Sequence, residues 1–351
     1  MRKKAYFKSV TIFLSILLVF SQLQLFSLPA YGETVSDQPL LFRSVGVAQN
    51  GTTYYVDGEG GNNANDGQSP ASAWRDFEKV NQTEFQPGDH LLLNAQSTWN
   101  NQLLHPKGNG TAAQKIVIDF YDTNDKGETI FETTRRPIIN GGGTYSTGTF
   151  KRAISGVVQL VNQEYWDISN LEVTNTPELD NLEGYKKPGD AQRAGILVLG
   201  YEQNRTFNSV TIRNNYVHDV QTEYYLNLSG NTATKRLKAV GGIIVLGSWF
   251  DENGNVVTAA NDHRTTTGFN DILIENNVIQ RVGLEGIRTK ADSDTSRGNT
   301  FYKTFSNITI RNNYLEDIAG DGIVLSEAKS GGVVEGNVAV RMCNADYGTQ
   351  N

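Results

Sequence analysis

One twelve-residue pattern recurs along this chain, and a recurring pattern limits the fold more than any composition does. SVTIRNNYVHDV (209–220), DILIENNVIQRV (271–282) and NITIRNNYLEDI (307–318) are close copies, while YWDISNLEVTNT (165–176) and GVVEGNVAVRM (332–342) are weaker ones. Their aligned Asn falls at 170, 214, 276 and 312, with Gly336 in the last copy. Successive copies are therefore 44, 62, 36 and 24 residues apart. Coils of constant size that carry loops of different length produce such spacings.

A second element follows each of the first four copies: AGILVLG (194–200), GGIIVLG (241–247), EGIRTKA (285–291) and DGIVLSE (321–327). From the reference Asn to the Gly of the Gly-Ile pair the distance is 25, 28, 10 and 10 residues, so the basic coil holds on the order of two dozen residues. Strand, Asn turn, strand, loop and next strand describe an all-β right-handed parallel β-helix. Within NITIRNNYL, alternation sends Ile308 and Ile310 to one face and Thr309 and Arg311 to the other. Asn214, Asn276 and Asn312 are expected to stack as an internal hydrogen-bonded ladder, and no chemistry is assigned to them.

The front of the chain differs. Ser69-Pro70 suit a helix N-cap and first turn, and Trp74, Phe77 and Val80 follow at spacings of three. A helix placed there is expected to cover the open end of the first coil, whose strand edges are otherwise unpaired. YYVDGEGGNNANDGQSPASAW, QPGDHLLL, LLHPKGNGTAAQKIVIDFY and RPIINGGG resemble the N-terminal half of secreted, pectate-lyase-like β-helix proteins of bacteria, and the resemblance spans residues 53–342. It implies the fold; its members include lyases, hydrolases, epimerases and adhesins, so it leaves activity open. The sequence ends directly after a core strand, so further coils are expected beyond residue 351.

Residues 1–32 carry a basic start (Arg2, Lys3, Lys4, Lys8), an apolar run and a small-residue exit at Gly32, which reads as a secretory signal peptide. Residues 33–52 read as a linker and 53–351 as the β-helix. The whole chain holds 31 Lys+Arg against 38 Asp+Glu, a net charge of −7; removing four cations leaves 27 against 38, or −11. An acidic, exported, monomeric body is expected, with no nucleic-acid partner and no membrane contact after cleavage. The single Cys343 rules out an intramolecular disulfide.

The Gly-Ile strand at 285–291 breaks its own pattern by placing Arg288 and Lys290 where the other copies place aliphatic residues. Alternation makes Leu197, Leu199, Ile244, Leu246, Arg288, Lys290, Val324 and Ser326 the expected floor of a groove. Loops 177–193 and 221–240 are expected to form one wall and to bring Tyr185, Tyr224, Tyr225 and Lys238 to a sugar. The loop 247–269, with Trp249, stands opposite. An acidic polysaccharide is the expected partner.

The first expectation for function is a lyase that cleaves a uronic-acid polymer, pectate-like or a bacterial heteropolysaccharide such as gellan, by β-elimination. The resemblance then implies Lys290 as base and Arg288 or Ca²⁺ on the substrate carboxylate. Glu285 and Asp321, which precede equivalent glycines, would hold that Ca²⁺ with Asp292 and Asp294. The alternatives are a glycoside hydrolase using two carboxylates among Glu285, Asp321 and Glu327, and a glycan-binding module without catalysis. His218 and Asp219 are adjacent on a strand and are expected to face opposite sides.

Overall fold

A computed structural model describes residues 41–143, 154–175, 192–202, 204–220, 240–247, 267–291 and 304–343. The repeat becomes three long parallel sheets that wrap one core. A ten-stranded sheet carries Trp166–Ser169, Thr206–Arg213, Gly268–Glu275 and Phe305–Arg311. A seven-stranded sheet carries Glu172–Asn175, Tyr216–Val220, Val278–Val282 and Tyr314–Ile318. A five-stranded sheet carries the Gly-Ile strands Gln192–Gly200, Gly241–Gly247, Glu285–Ala291 and Ile323–Leu325. The chain visits the sheets in that order, coil after coil. This is the expected parallel β-helix.

Inward positions stack in register, so each coil buries its aliphatic residues against the same residue type above and below. Ile168, Ile212, Ile274 and Ile310 form one column; Val173, Val217, Ile279 and Leu315 a second; Ile196, Ile243 and Ile287 a third. All are buried. Each such side chain contributes about 1.5–3 kcal/mol of burial, an upper figure for a chain already compact when unfolded. Near the starts of their strands, Phe207 packs at a tilt on Phe269, and Phe269 meets Phe305 edge to face.

The Asn ladder exists one residue later than expected. Asn214, Asn276 and Asn312 adopt left-handed φ of 57°, 56° and 54°, as does Gly336 at 62°. They make the corner, which Asn tolerates better than other residues with a Cβ. The rungs are Asn215, Asn277 and Asn313, all buried, and the half-buried Asn337. Each Oδ1 accepts the backbone N–H of the preceding coil, as Asn277 does from Asn215 at 3.0 Å and Asn313 from Asn277 at 2.9 Å. These bonds span 62 and 36 residues, the repeat spacings themselves.

At the front, Ser69 caps only a single 3₁₀ turn, Pro70–Ser72. The α-helix starts later, at Phe77–Gln82, with Asp76 accepting from the Glu78 N–H. Phe77, Val80 and Trp74 all enter the core; Trp74 sits before the helix and its indole N–H donates to the Asn65 carbonyl. These contacts do not establish a lid over the first coil. Within the stretch expected as a linker, Phe42–Arg43 pairs with Glu132–Thr133 in antiparallel fashion. The candidate signal peptide lies outside the described residues, and among those described no helix is long and apolar enough to cross a membrane.

Candidate functional site

The five-stranded sheet presents the outward column Leu197, Ile244, Arg288, Val324, with Lys290 beside Leu246 in the next column. The expected groove floor is only partly a surface. Leu197, Leu199, Ile244 and Leu246 are buried and form a second apolar cluster with Ala194, outside the main core. Alternation correctly turned these residues away from the core; it could not show that the outer face is covered as well. In the outward column the polar Gln159 of the preceding coil pairs with Leu197, and charged groups appear at the coil that carries Glu285, Arg288 and Lys290.

Glu285 opens its strand at the corner after Gly283 and Leu284, and it is only 6% exposed. Arg288 Nη1 donates to Glu285 Oε1 at 2.5 Å, an i,i+3 contact made possible because Glu285 sits at the bend rather than within the pleat. Burial pushes the Glu285 carboxyl above its ordinary pKa; Arg288 opposes that, and the charge of Asp321 adds to it. Asp321 occupies the equivalent place on the next coil, exposed, and its carbonyl accepts the Gly286 N–H at 2.9 Å. Backbones of adjacent coils are about 4.8 Å apart, so the two carboxyl groups are neighbours.

A calcium ion was expected between them. Arg288 already supplies the positive charge at Glu285, and a divalent ion on the same carboxylate would face a guanidinium at ion-pair distance. Among the described residues no group of three or more His, Cys, Asp or Glu could hold a metal, and two of the four expected ligands lie beyond them. Asp292 and Asp294 lie outside the described residues, as do Tyr185, Tyr224, Tyr225, Lys238 and Trp249.

A second polar cluster occupies the outer face of the seven-stranded sheet. His218 and Asp219 do touch, with Nδ1 to Oδ2 at 2.6 Å, while His218 Nε2 meets Glu172 at 3.1 Å. Asp219 has φ of 49°, and this bulge abolishes the alternation that was expected to separate them. Arg281, Asp317 and Arg341 repeat the bulge at 51°, 55° and 55°, so acid and base alternate up one column. Arg281 grips Asp219 through Nε and Nη2 at 2.7 Å each, and Arg341 grips Asp317. Burial works against charge on His218, but its two carboxylate partners outweigh it and raise the pKa. The sequence carried a signal for this: in YVHDV, VIQRV and YLEDI the inward residues are three apart, not two.

No family model matches the chain. Over 318 residues, 80% of its length, the chain is 28% identical to a lacto-N-biosidase of Bifidobacterium longum, of which it spans 19%. Among solved structures, a GH136 lacto-N-biosidase from Eubacterium ramulus is similar at a TM-score of 0.49 and 18% identity, covering 82% of this chain and 56% of that one. A pectate lyase is similar at a TM-score of 0.34 and 11% identity, covering 85% and 79%. The curated relative is a glycoside hydrolase, which overturns the expectation of a lyase and of pectate-lyase-like chemistry. The roles of Lys290 as eliminating base and Arg288 as clamp on a uronate fall with that reaction.

Proposed function

We propose that this chain is the β-helix part of a secreted glycoside hydrolase acting on an oligosaccharide or polysaccharide, with Glu285 and Asp321 as its two carboxyl groups. The observation that carries the reading is Glu285: a nearly buried carboxyl whose surroundings favour the protonated form, beside an exposed carboxylate on the next coil. Glycoside hydrolysis asks for that asymmetry. One carboxylic acid protonates the departing glycosidic oxygen, and the second carboxylate activates water or attacks the anomeric carbon. Burial gives Glu285 the first task. Asp321, open to solvent, takes the second. The match to a lacto-N-biosidase supports the reaction class, although the chain spans about a fifth of that relative.

The test incubates the full chain with panels of neutral and uronate-containing oligosaccharides. New reducing ends are expected without the ultraviolet absorbance of an unsaturated uronate. Glu285→Gln and Asp321→Asn should each lower kcat/KM by about 10²-fold or more, the usual worth of a positioned acid or base. Wild-type activity should fall as pH rises through the elevated Glu285 pKa, since the acid must carry its proton. Unsaturated products, undiminished turnover in Glu285→Gln, or no turnover by the full chain would each overturn the reading.

A further inference from the structure

A groove of about 490 Å³ lies between the helix Phe77–Gln82 and the segment 102–105 of the first coil. Asn81 ties its two sides together: Oδ1 accepts the His105 backbone N–H at 2.7 Å, and Nδ2 donates to the Leu103 carbonyl at 2.9 Å. The first helix N–H groups are already answered. Gln102 Oε1 accepts from Phe77 at 3.2 Å, and Asp76 Oδ1 accepts from Glu78 at 3.0 Å and from Asn63 Nδ2 at 2.7 Å.

What stays open in the groove is mostly acceptors. Asp76 Oδ2 and both carboxylate oxygens of the exposed Glu78 take no partner among the described residues. His105 Nε2 lies 2.8 Å from the Gly156 carbonyl, so it carries the ring hydrogen and Nδ1 keeps a lone pair. That Nδ1 has no partner among the described residues and is not sealed from solvent. Burial pushes the His105 imidazole below its ordinary pKa, the Gly156 bond opposing, and a neutral ring can accept. One donor group stands among these acceptors, the Gln102 amide NH₂. The lining residues include two carboxylates and no cation.

We propose that this groove binds an amino sugar in its free ammonium form. An ammonium has three N–H donors and no lone pair, and Asp76, Glu78 and His105 Nδ1 offer it acceptors and opposite charge. The Gln102 amide donates to a ring hydroxyl, a partner that a plain alkylamine lacks. The half-buried Leu103 gives the C–H face of the ring an apolar surface. An acetylated amine is neutral and keeps one N–H, so it forfeits the charge and two donors. A metal is not the occupant, since no group of three or more His, Cys, Asp or Glu among the described residues could hold one. The groove is separate from Glu285. Leu104 pairs with Val158 at the front of the five-stranded sheet, and Ile196, Ile243 and Ile287 follow in register, which puts four strand spacings, about 19 Å, between the two coils. The inference stands beside the hydrolase reading and does not rest on it.

The test titrates glucosamine into the full chain near neutral pH, with its four histidines labelled with nitrogen-15. The His105 Nδ1 resonance, assigned with His105→Gln, should shift and saturate while those of the other histidines stay in place. N-acetylglucosamine, glucose and butylamine should each bind about ten-fold or more weakly than glucosamine. Asp76→Asn with Glu78→Gln removes both charges and keeps an N-cap, and should weaken glucosamine about ten-fold or more with the melting temperature unchanged. Should that pair misfold, Glu78→Gln alone, at an exposed position, should still weaken it about three-fold or more. The proposal is overturned if no titration moves the His105 resonance, if N-acetylglucosamine or butylamine binds as tightly as glucosamine, or if the charge-free variant binds as wild type does. Reducing ends released from oligosaccharides are measured on the same protein. Their absence with glucosamine binding intact counts against the hydrolase alone, and turnover without glucosamine binding counts against the groove alone.

Discussion

Replacing Asn277 by Ala should damage the rod far more than replacing its neighbour Asn276. Asn277 Oδ1 accepts from the Asn215 backbone N–H at 3.0 Å and from Asn215 Nδ2 at 3.1 Å, while its own Nδ2 donates to the Ile212 carbonyl at 2.9 Å and to Asn313 Oδ1 at 3.0 Å. Asn313 Oδ1 retains the Asn277 backbone N–H, and Asn215 Nδ2 retains the Ile168 carbonyl. The truncation thus strands two donor hydrogens on Asn215 and the donor to Ile212, all in the core. At about 1–3 kcal/mol for each of these three buried groups left without a partner, the loss is about 3–9 kcal/mol. That is a large share of the roughly 5–15 kcal/mol that holds an ordinary domain together. Asn276→Ala, by contrast, keeps every rung and sets a Cβ residue in the left-handed region, which costs about 1–2 kcal/mol. Asn276→Gly should be nearly silent, since Gly336 fills the equivalent corner. Urea denaturation followed by far-ultraviolet circular dichroism gives the shifts in midpoint. An Asn277→Ala loss under about 1 kcal/mol, or a larger loss for Asn276→Ala, would refute the ladder as the element that ties coil to coil.

Two pH effects should appear in melting temperature. The raised pKa of His218 means that its two carboxylate bonds stabilise the fold fully below about pH 6.5 and cease to as pH rises through the elevated folded value, so His218→Gln should flatten that decline. Burial raises Asp119 to about 6, so ionising it costs folding stability as pH climbs from about 4 to above 6; Asp119→Asn should remove that slope, and an unchanged slope would refute the assignment. Trp166 is fully buried and donates to the Gly108 carbonyl at 2.9 Å, so Trp166→Ala should cost about 3–5 kcal/mol by chemical denaturation. Cys343 is exposed and free, so Cys343→Ser should shift stability by no more than about 0.5 kcal/mol.

The sequence by itself determined the architecture. A coil that repeats its inward Ile and Val at fixed spacing, with a left-handed corner marked by Asn or Gly, can bury those residues only against copies of itself. Ile308 and Ile310 were legible as core for that reason. Contacts that depend on departures from the ideal pleat were decided by the tertiary structure. The bulge at Asp219 joins it to His218, and the corner at Glu285 lets Arg288 reach back three residues to a buried carboxylate. The same holds for Leu197 and Ile244: period-two reasoning fixes which face a side chain takes, while only packing fixes whether that face meets solvent. The Asn ladder lay between the two, since sequence showed that a doubled Asn recurs, and only the turn geometry settled which Asn turns inward. Reaction class was the least legible, because a β-helix presents the same columns to many chemistries and two charged residues on one strand suit a base, a clamp or an ion pair equally well.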